Sequence, residues 1–220
     1  MENRGLLVVI ADPHPAIEEE FNAWFDTEHL PERMSIDGFL TGTRFVSCDR
    51  AGRYLVLYDL NDVQTLHSDE YKAFLSEKMS PWTKRVLQRQ PSIRHEASQI
   101  FPGQALLAPS ARQLLLRFNR MDNSALRQLA EWIADEETAT PGIVQRRLFR
   151  ITDAEDGAYL AVLSGAGDLT KAIDFSAWRD ASKHITLMET FAPIRPASVP
   201  ILKFASFRYQ PPSEFRIEGH

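Results

Sequence analysis

The chain has 220 residues, of which 44% are hydrophobic and 25% charged, with a formal net charge of −5. This is the composition of an ordinary globular protein of one or two domains. The negative charge argues against nucleic acid or anionic membranes as partners, and no run approaches the 18 apolar residues of a membrane-spanning helix. With one cysteine, Cys48, and no signal-peptide pattern, we expect a cytoplasmic protein without disulfides.

The first hundred residues predict the order β-α-β-β-α-β. The first strand is a short run of branched apolar residues, and the first helix repeats its apolar residues every three or four positions. Pro31 disfavours helical geometry in the residue before it and predicts the end of that helix. The predicted elements are a strand over Leu6 to Ala11, a helix from Ala16, strands over Phe39 to Val46 and Tyr54 to Leu60, a helical region over Val63 to Leu87 and a strand over Ile93 to Phe101.

The same order returns after a proline- and glycine-containing linker at residues 102–110. The predicted elements are strands over Gln113 to Asn119, Ile143 to Ile151, Ala158 to Leu163 and Ile201 to Tyr209, with helices over Ser124 to Glu136 and Leu169 to Ser182. The proline-rich stretch Phe191 to Pro200 is predicted as a surface connection or as a flap over a pocket. We therefore predict an α+β fold of two tandem ferredoxin-like units, at residues 1–103 and 111–210, and a loosely held tail at 211–220.

The two halves share short sequence features but differ at one place. Gly38-Phe39 and Arg44-Phe45 align with Gly142-Ile143 and Leu148-Phe149, and Trp24 aligns with Trp132. The distance from tryptophan to glycine is shorter in the second half, which lacks the element His29-Leu30-Pro31. This difference predicts one site per chain, in the first unit.

The stretch WFDTEHLPERMSIDGFLTGTRF, residues 24–45, resembles the dimeric α+β barrel superfamily, specifically its EthD-like and related uncharacterised members. The stretch SDEYKAFLSEKMSPWTKRV, residues 68–86, is similar to the second helix of that group. The resemblance covers residues 1 to 101 and is only architectural beyond them. It implies that two sheets form a barrel, across a homodimer or within one chain, with a small organic ligand in the cavity or between sheet and helices.

His29 is the predicted catalytic residue. Phe21, Phe25 and His29 follow one another at four-residue intervals, so the imidazole extends an apolar stripe and points inward. Its place near the predicted helix end favours imidazolium, and Asp26, three positions earlier, is within reach to fix its tautomer. Such a pair suits a proton shuttle. In the alternative, His29 and Asp26 only cap the helix end.

Substrate-binding roles are predicted for six further residues: Trp24, Phe25, Arg44, Tyr71, Trp82 and His95. Arg44 is expected to bind an anionic group or to pair with a helix carboxylate. Tyr71 and Trp82 are equally suited to packing the second helical region on the sheet, and His95 to a place in the core. Arg33 is expected in a surface ion pair, with a role as carboxylate anchor as the alternative.

No HExxH, cysteine cluster, GxGxxG or GxSxG motif occurs in the sequence, so we expect neither a metal site nor a dissociable cofactor. The leading hypothesis is a cofactor-independent lyase, isomerase or cyclase that acts on a small carbonyl-bearing or aromatic metabolite by proton transfer through His29. The first alternative is a monooxygenase, either cofactor-independent or with haem bound by His29 or His95. The second alternative is a non-catalytic ligand-binding or oligomerisation module. A homodimer is a further expectation.

Overall fold

The computed structural model describes residues 3–135, 140–154, 157–194 and 201–202. The strands are β1 (Gly5–Ala11), β2 (Phe39–Ser47), β3 (Tyr54–Leu60), β4 (Ser92–Phe101), β5 (Arg112–Phe118), β6 (Ile143–Ile151), β7 (Tyr159–Gly165), β8 (Ile185–Pro193) and β9 (Ile201–Leu202). The α-helices are α1 (Glu18–Trp24), α2 (Leu30–Ser35), α3 (Asp69–Phe74), α4 (Pro81–Leu87), α5 (Asn123–Ala134) and α6 (Leu169–Ala172). A π-helical turn (Phe25–His29) joins α1 to α2, and a 3-10 segment (Phe175–His184) precedes β8.

Each half of the chain forms a four-stranded antiparallel sheet with the same strand order. In the first half β1 lies between β3 and β4, and β2 pairs with β3; in the second half β5 lies between β7 and β8, and β6 pairs with β7. Pairings of β4 with β6 and of β2 with β8 then close the eight strands into a barrel. The predicted α+β fold with an eight-stranded antiparallel barrel is confirmed, and the barrel forms within one chain.

The interior of the barrel is filled by side chains from both sheets. Its apolar core consists of buried residues that alternate along the strands: Leu6, Val8, Ile10, Phe45, Leu55, Leu57, Ala97, Leu115, Phe149, Ile151, Ala158, Leu160, Val162 and Phe191. Toward one end, Arg147 of β6 binds Asp59 of β3 at 2.6 Å, both fully buried. The linker reaches the same pair, because the backbone N–H of Leu107 donates to Asp59 at 2.8 Å.

The first helix differs from the prediction at Pro31, which does not end it. The N–H of Leu30 bonds to the carbonyl of Phe25, five residues earlier, and α2 then runs through Pro31 to Ser35. Proline is tolerated because it stands in the first turn of α2, where its missing N–H and the clash with the preceding turn matter least. Single π-helical turns within an α-helix, such as Phe25–His29, are frequent at functional sites.

Gly42 lets α2 approach the sheet closely. A Cβ atom at this position would lie 2.7 Å from Leu30 Cδ1, 3.0 Å from Met34 Sδ and 3.1 Å from a ring carbon of Tyr58. Real Cβ atoms essentially never make a contact as short as that to Leu30, and the other two are tighter than most, so a larger residue would force these side chains or α2 to shift. The glycine therefore sets how near the residues of α2 come to strands β2 and β3.

The last strand of the second unit also differs from the prediction. It is β8, at Ile185–Pro193, whereas the sequence analysis placed it at Ile201 to Tyr209 and assigned Phe191 to Pro200 to a connection. The β-branched and aromatic residues of β8 continue the barrel beside β5, which the proline-based prediction overlooked. The short β9 pairs with β2 at Thr41 and Gly42, and residues 195–200 and 203–220, including the predicted tail, lie outside the described residues.

Within the described ranges, none of the helices is long and apolar enough to cross a membrane.

Candidate functional site

His29 lies on the helical face of the first sheet, packed between two aromatic rings. Its ring centroid is 4.4 Å from that of Trp24 and 4.9 Å from that of Phe25. Both aromatic residues are almost fully buried, so they hold the imidazole in place. The structure thus brings together three of the predicted site residues, with the two aromatic ones in a supporting position.

The Nδ1 atom of His29 is buried and has no hydrogen-bond partner among the described residues. Burial, and then the positive charges of Arg33 and Arg44, hold the pKa of His29 well below its usual value of 6.5. The ring is therefore neutral at pH 7. The expected imidazolium at a helix end is wrong, because the helix continues to Ser35 and the neighbouring charges are positive.

Arg33 and Tyr58 complete the polar part of the site. Arg33 was predicted there only as an alternative, as a carboxylate anchor, and Tyr58 was not among the predicted site residues. Arg33 is buried with one terminal nitrogen, NH1, unpartnered in the described part of the chain, and its guanidinium lies 5.2 Å from the ring centroid of Tyr71. The Tyr58 hydroxyl is likewise buried without a partner there, and burial raises the pKa of the Tyr58 phenol. The expected surface ion pair of Arg33 is wrong. Two buried hydrogen-bond donors without acceptors destabilise the folded protein unless a ligand supplies the acceptors.

Asp26 is engaged by Arg44. The guanidinium of Arg44 donates to Asp26 at 2.6 Å and to the side-chain carbonyl of Asn22 at 2.6 Å, and it lies 4.4 Å from the ring centroid of Phe25. Of the two roles expected for Arg44, the structure shows the pairing with a helix carboxylate. The predicted orientation of His29 by Asp26 is not seen at Nδ1, because that nitrogen has no partner.

A buried hydrogen-bond chain fixes the other side of Trp24. The indole Nε1 donates to Thr83 Oγ1 at 3.0 Å, and Thr83 donates to a carboxylate oxygen of Glu28 at 2.9 Å. The same oxygen accepts from Ser80, the residue that caps α4, at 2.5 Å. The π-helical segment is therefore tied to α4 on one side and to the sheet on the other.

Tyr71 and Trp82 serve packing in this structure. Tyr71 is buried, stacks on Phe39 with ring centroids 5.7 Å apart and accepts a hydrogen bond from Arg94 at 3.3 Å. Trp82 is partly buried and donates from Nε1 to Glu20 at 3.0 Å. Tyr71 remains a neighbour of the site through Arg33, whereas no described contact links Trp82 to His29.

His95 lies on the opposite face of its sheet. His95 and Ala97 are two residues apart on β4, so their side chains share one face of the sheet. Ala97 belongs to the barrel interior, whereas His29 packs on the helical side. His95 Nδ1 is 3.9 Å from Asp153, and Nε2 is buried without a described partner. The structure does not bring His95 together with the other predicted site residues.

The second unit fills the equivalent space with apolar side chains. Phe45 and Phe149 both point into the barrel, so the preceding residues, Arg44 and Leu148, occupy matching places on the helical faces. Leu148 is buried, and a tryptophan pair, Trp132 and Trp178, packs above that sheet with ring centroids 4.9 Å apart. The cation of the first unit is thus replaced by core packing in the second.

Signals for Arg33 and Tyr58 were present in the sequence. Arg33 follows His29 by four positions, which places both on one helix face once the helix passes Pro31. Tyr58 lies on the same face of β3 as Val56 and Tyr54. Tyr58 pairs with Gly42 of β2, and Val56 pairs with Arg44. The described residues contain no group of three His, Cys, Asp or Glu side chains that could hold a metal ion.

Comparison with known proteins places the chain by its structure alone. No protein-family model matches it, and no curated protein matches it in sequence. An anthrone oxidase-like protein superimposes with a TM-score of 0.62 at 11% identity, over 93% of this chain and 97% of that one. A proposed chlorite dismutase superimposes with a TM-score of 0.60 at 10% identity, over 89% of this chain and 96% of that one. A proposed monooxygenase from Lactobacillus acidophilus superimposes with a TM-score of 0.56 at 9% identity, over 91% of this chain and 99% of that one. The chain therefore has the dimeric α+β barrel fold.

Proposed function

We propose that this protein is a cofactor-independent enzyme in which neutral His29 removes a proton from a small enolisable carbonyl compound or phenol. One observation carries the proposal: His29 has an unpartnered buried nitrogen, the charge of Arg33 is felt by both His29 and Tyr58, and Arg33 and Tyr58 each carry a buried donor without a described partner. Polar atoms left unsatisfied in a core are rare, and their convergence in one place is typical of a binding site.

The arrangement suits removal of a proton next to a carbonyl group or from a phenolic hydroxyl. His29 accepts the proton in its neutral form, and the negative charge moves to the substrate oxygen, which Arg33 and Tyr58 are placed to bind. Positive charge near His29 lowers its basicity in the empty site. The enolate that forms offsets this charge, so the imidazolium and the anion stabilise each other.

In an isomerase or lyase, the proton held by His29 returns to another carbon of the substrate or to a departing group. These reactions need one positioned base, an anion-stabilising pair and little water, which the buried site provides. We favour them as the first candidate. They require no group beyond the side chains already described.

Oxygenation is the second candidate, and the fold comparison favours it. Two of the matched structures are an anthrone oxidase-like protein and a proposed monooxygenase. An electron-rich enolate or phenolate reacts with O₂, so the same proton removal by His29 would come first. His95 does not suit haem, because its Nε2 is buried on the barrel side of β4.

We further propose that the chain belongs with the EthD-like members of the superfamily and arose by tandem duplication. Support comes from the series Trp24 to Gly38, from the common strand order of the two units and from the matching places of Arg44 and Leu148. We also propose that the substrate is a small molecule and that the protein forms a homodimer.

The test uses anthrone and related phenolic ketones with the full-length protein. Deuterium uptake at the acidic carbon, followed by NMR without oxygen, reports proton removal, and an oxygen electrode reports any later oxygenation. We expect His29→Ala to lower the exchange rate by at least about 100-fold. His67→Ala, a half-exposed histidine paired with Glu96, is the control and should keep the wild-type rate.

Folded His29→Ala protein with the wild-type exchange rate would rule out His29 as the base. Oxygen consumption that depends on His29 would favour the second candidate over the first. Saturable binding of these ketones without exchange or oxygen uptake would instead support a non-catalytic binding module.

A further inference from the structure

A concave site lies in the second half of the molecule. It is a half-open cleft of about 620 Å³ at the barrel end where β5 and β6 finish and β7 and β8 begin. Its lining consists of Arg117, Asn119, Arg120, Ala154, Ala158, Lys183, His184 and Thr186. The base and donors of the proposed active site belong to the first unit and the outer face of its sheet, so this cleft is separate from it.

Arg117 is the least exposed of the arginine and lysine side chains that line the cleft. Its side chain follows Leu115 on the interior face of β5, and its Nε is buried with no hydrogen-bond partner among the described residues. The positive charge of Arg117 helps to lower the pKa of His95, after burial itself, whereas Asp153 raises it. The cleft is therefore lined by a guanidinium group that has an unpartnered buried donor.

The rim adds positive charge and a fixed histidine. Arg120 is exposed, and Lys183 is exposed and bound to Asp180 at 2.6 Å. His184 donates from Nδ1 to the backbone carbonyl of Asn119 at 3.1 Å, which holds its ring in the lining. Lys183 and Asp180 neutralise each other, so among the described residues the charges of Arg117 and Arg120 exceed that of the nearby carboxylate, Asp153, and favour an anion.

We propose that this cleft binds a small organic carboxylate with a compact apolar body. A guanidinium binds a carboxylate through parallel hydrogen bonds, and its buried Nε supplies a donor that water does not reach. Ala154 and Ala158 give the cleft an apolar wall, which suits the carbon skeleton of a carboxylic acid better than a bare phosphate. The volume accommodates a single aromatic ring with its carboxylate.

The probe is 4-fluorobenzoate, titrated against the full-length protein at constant ionic strength and followed by fluorine NMR. We expect saturable binding that Arg117→Leu weakens by about tenfold or more, the effect of losing a charged hydrogen-bonding partner. Arg127→Leu removes an exposed arginine of α5 that does not line the cleft, and it should leave the affinity unchanged. Circular dichroism checks that each variant folds.

Lys183→Gln tests the rim with little risk to the fold and should weaken binding by a few fold. The proposal is overturned if the wild type shows no saturable binding, or if Arg117→Leu and Lys183→Gln both bind as tightly as the wild type. Displacement of 4-fluorobenzoate by inorganic phosphate at equal concentration would overturn the assignment to carboxylates.

Discussion

The indole of Trp24 stacks on the imidazole of His29 with ring centroids 4.4 Å apart and ring planes 32° from parallel. The same indole is bound through Nε1 to Thr83 in α4. One buried side chain therefore connects the proposed base to a neighbouring helix. The imidazole is restricted in orientation before a substrate arrives, which lowers the entropic cost of the reactive geometry.

Tyr58→Phe separates a role in binding from a role in stability. The hydroxyl is buried without a described partner, so its removal should change the free energy of unfolding by less than about 1 kcal/mol or raise it. If the hydroxyl binds the substrate oxygen, proton exchange falls by about tenfold or more. Urea denaturation and the NMR exchange assay measure the two quantities, and a large stability loss with unchanged exchange would contradict the proposed role.

The pH dependence of proton exchange should follow His29. Burial and the charges of Arg33 and Arg44 lower its pKa, so the reactive neutral form persists below pH 6.5. The acid limb of kcat/KM is therefore expected below 6.5, and Arg33→Met should shift it upward because one positive charge is lost. A limb at or above 6.5 in the wild type would show that His29 is not the titrating base.

The same shift makes His29 destabilising in acid. Unfolded histidine binds its proton near pH 6.5, whereas folded His29 binds it only at lower pH, so stability falls as the pH drops from 6.5 toward the folded pKa. His29→Gln should lose less stability between pH 7 and pH 5 than the wild type does. Chemical denaturation at both pH values measures the difference.

Gly42→Ala should destabilise the protein by about 1–3 kcal/mol, the usual cost of overpacking. The added methyl group would meet Leu30, Met34 and Tyr58 at once. Leu30→Ala removes the nearest of these atoms, so the double variant should lose less stability than the two single changes together. If the losses in the free energy of unfolding add exactly in this double-mutant cycle, Leu30 does not pack against position 42, which would contradict the close approach of α2 to Gly42.

The fold was predictable because its signals are local. Strand alternation and helical spacing within β1 to β4, and again in β5 to β7, depend on neighbouring residues. The assignment of β8 failed because a proline-rich stretch was given more weight than the strand-forming residues before it. Proline signals were also misleading at Pro31, where a π-helical turn lets the helix continue.

The site was predictable only in part. The four-residue spacing of Phe21, Phe25 and His29 was enough to predict that His29 points inward, because the two phenylalanines define the buried face of the helix. The charge state of His29 was not predictable, because its lowered pKa depends first on burial and then on the charges of Arg33 and Arg44, all of which are set by how α2 and β2 pack. Strand alternation was enough to put Tyr58 on the same face as Tyr54 and Val56, but no sequence feature indicated that its buried hydroxyl would have no described partner.

The pairings of β2 with β8 and of β4 with β6 place both halves of the barrel in one polypeptide. A barrel assembled from two identical chains must carry every residue twice, so a substitution that improves one half also alters the other. Here each half can change independently. Arg44 and Leu148 at matching places show this freedom, and the proposed base on one side and basic cleft on the other would be a division of labour that a symmetric pair of identical chains could not encode.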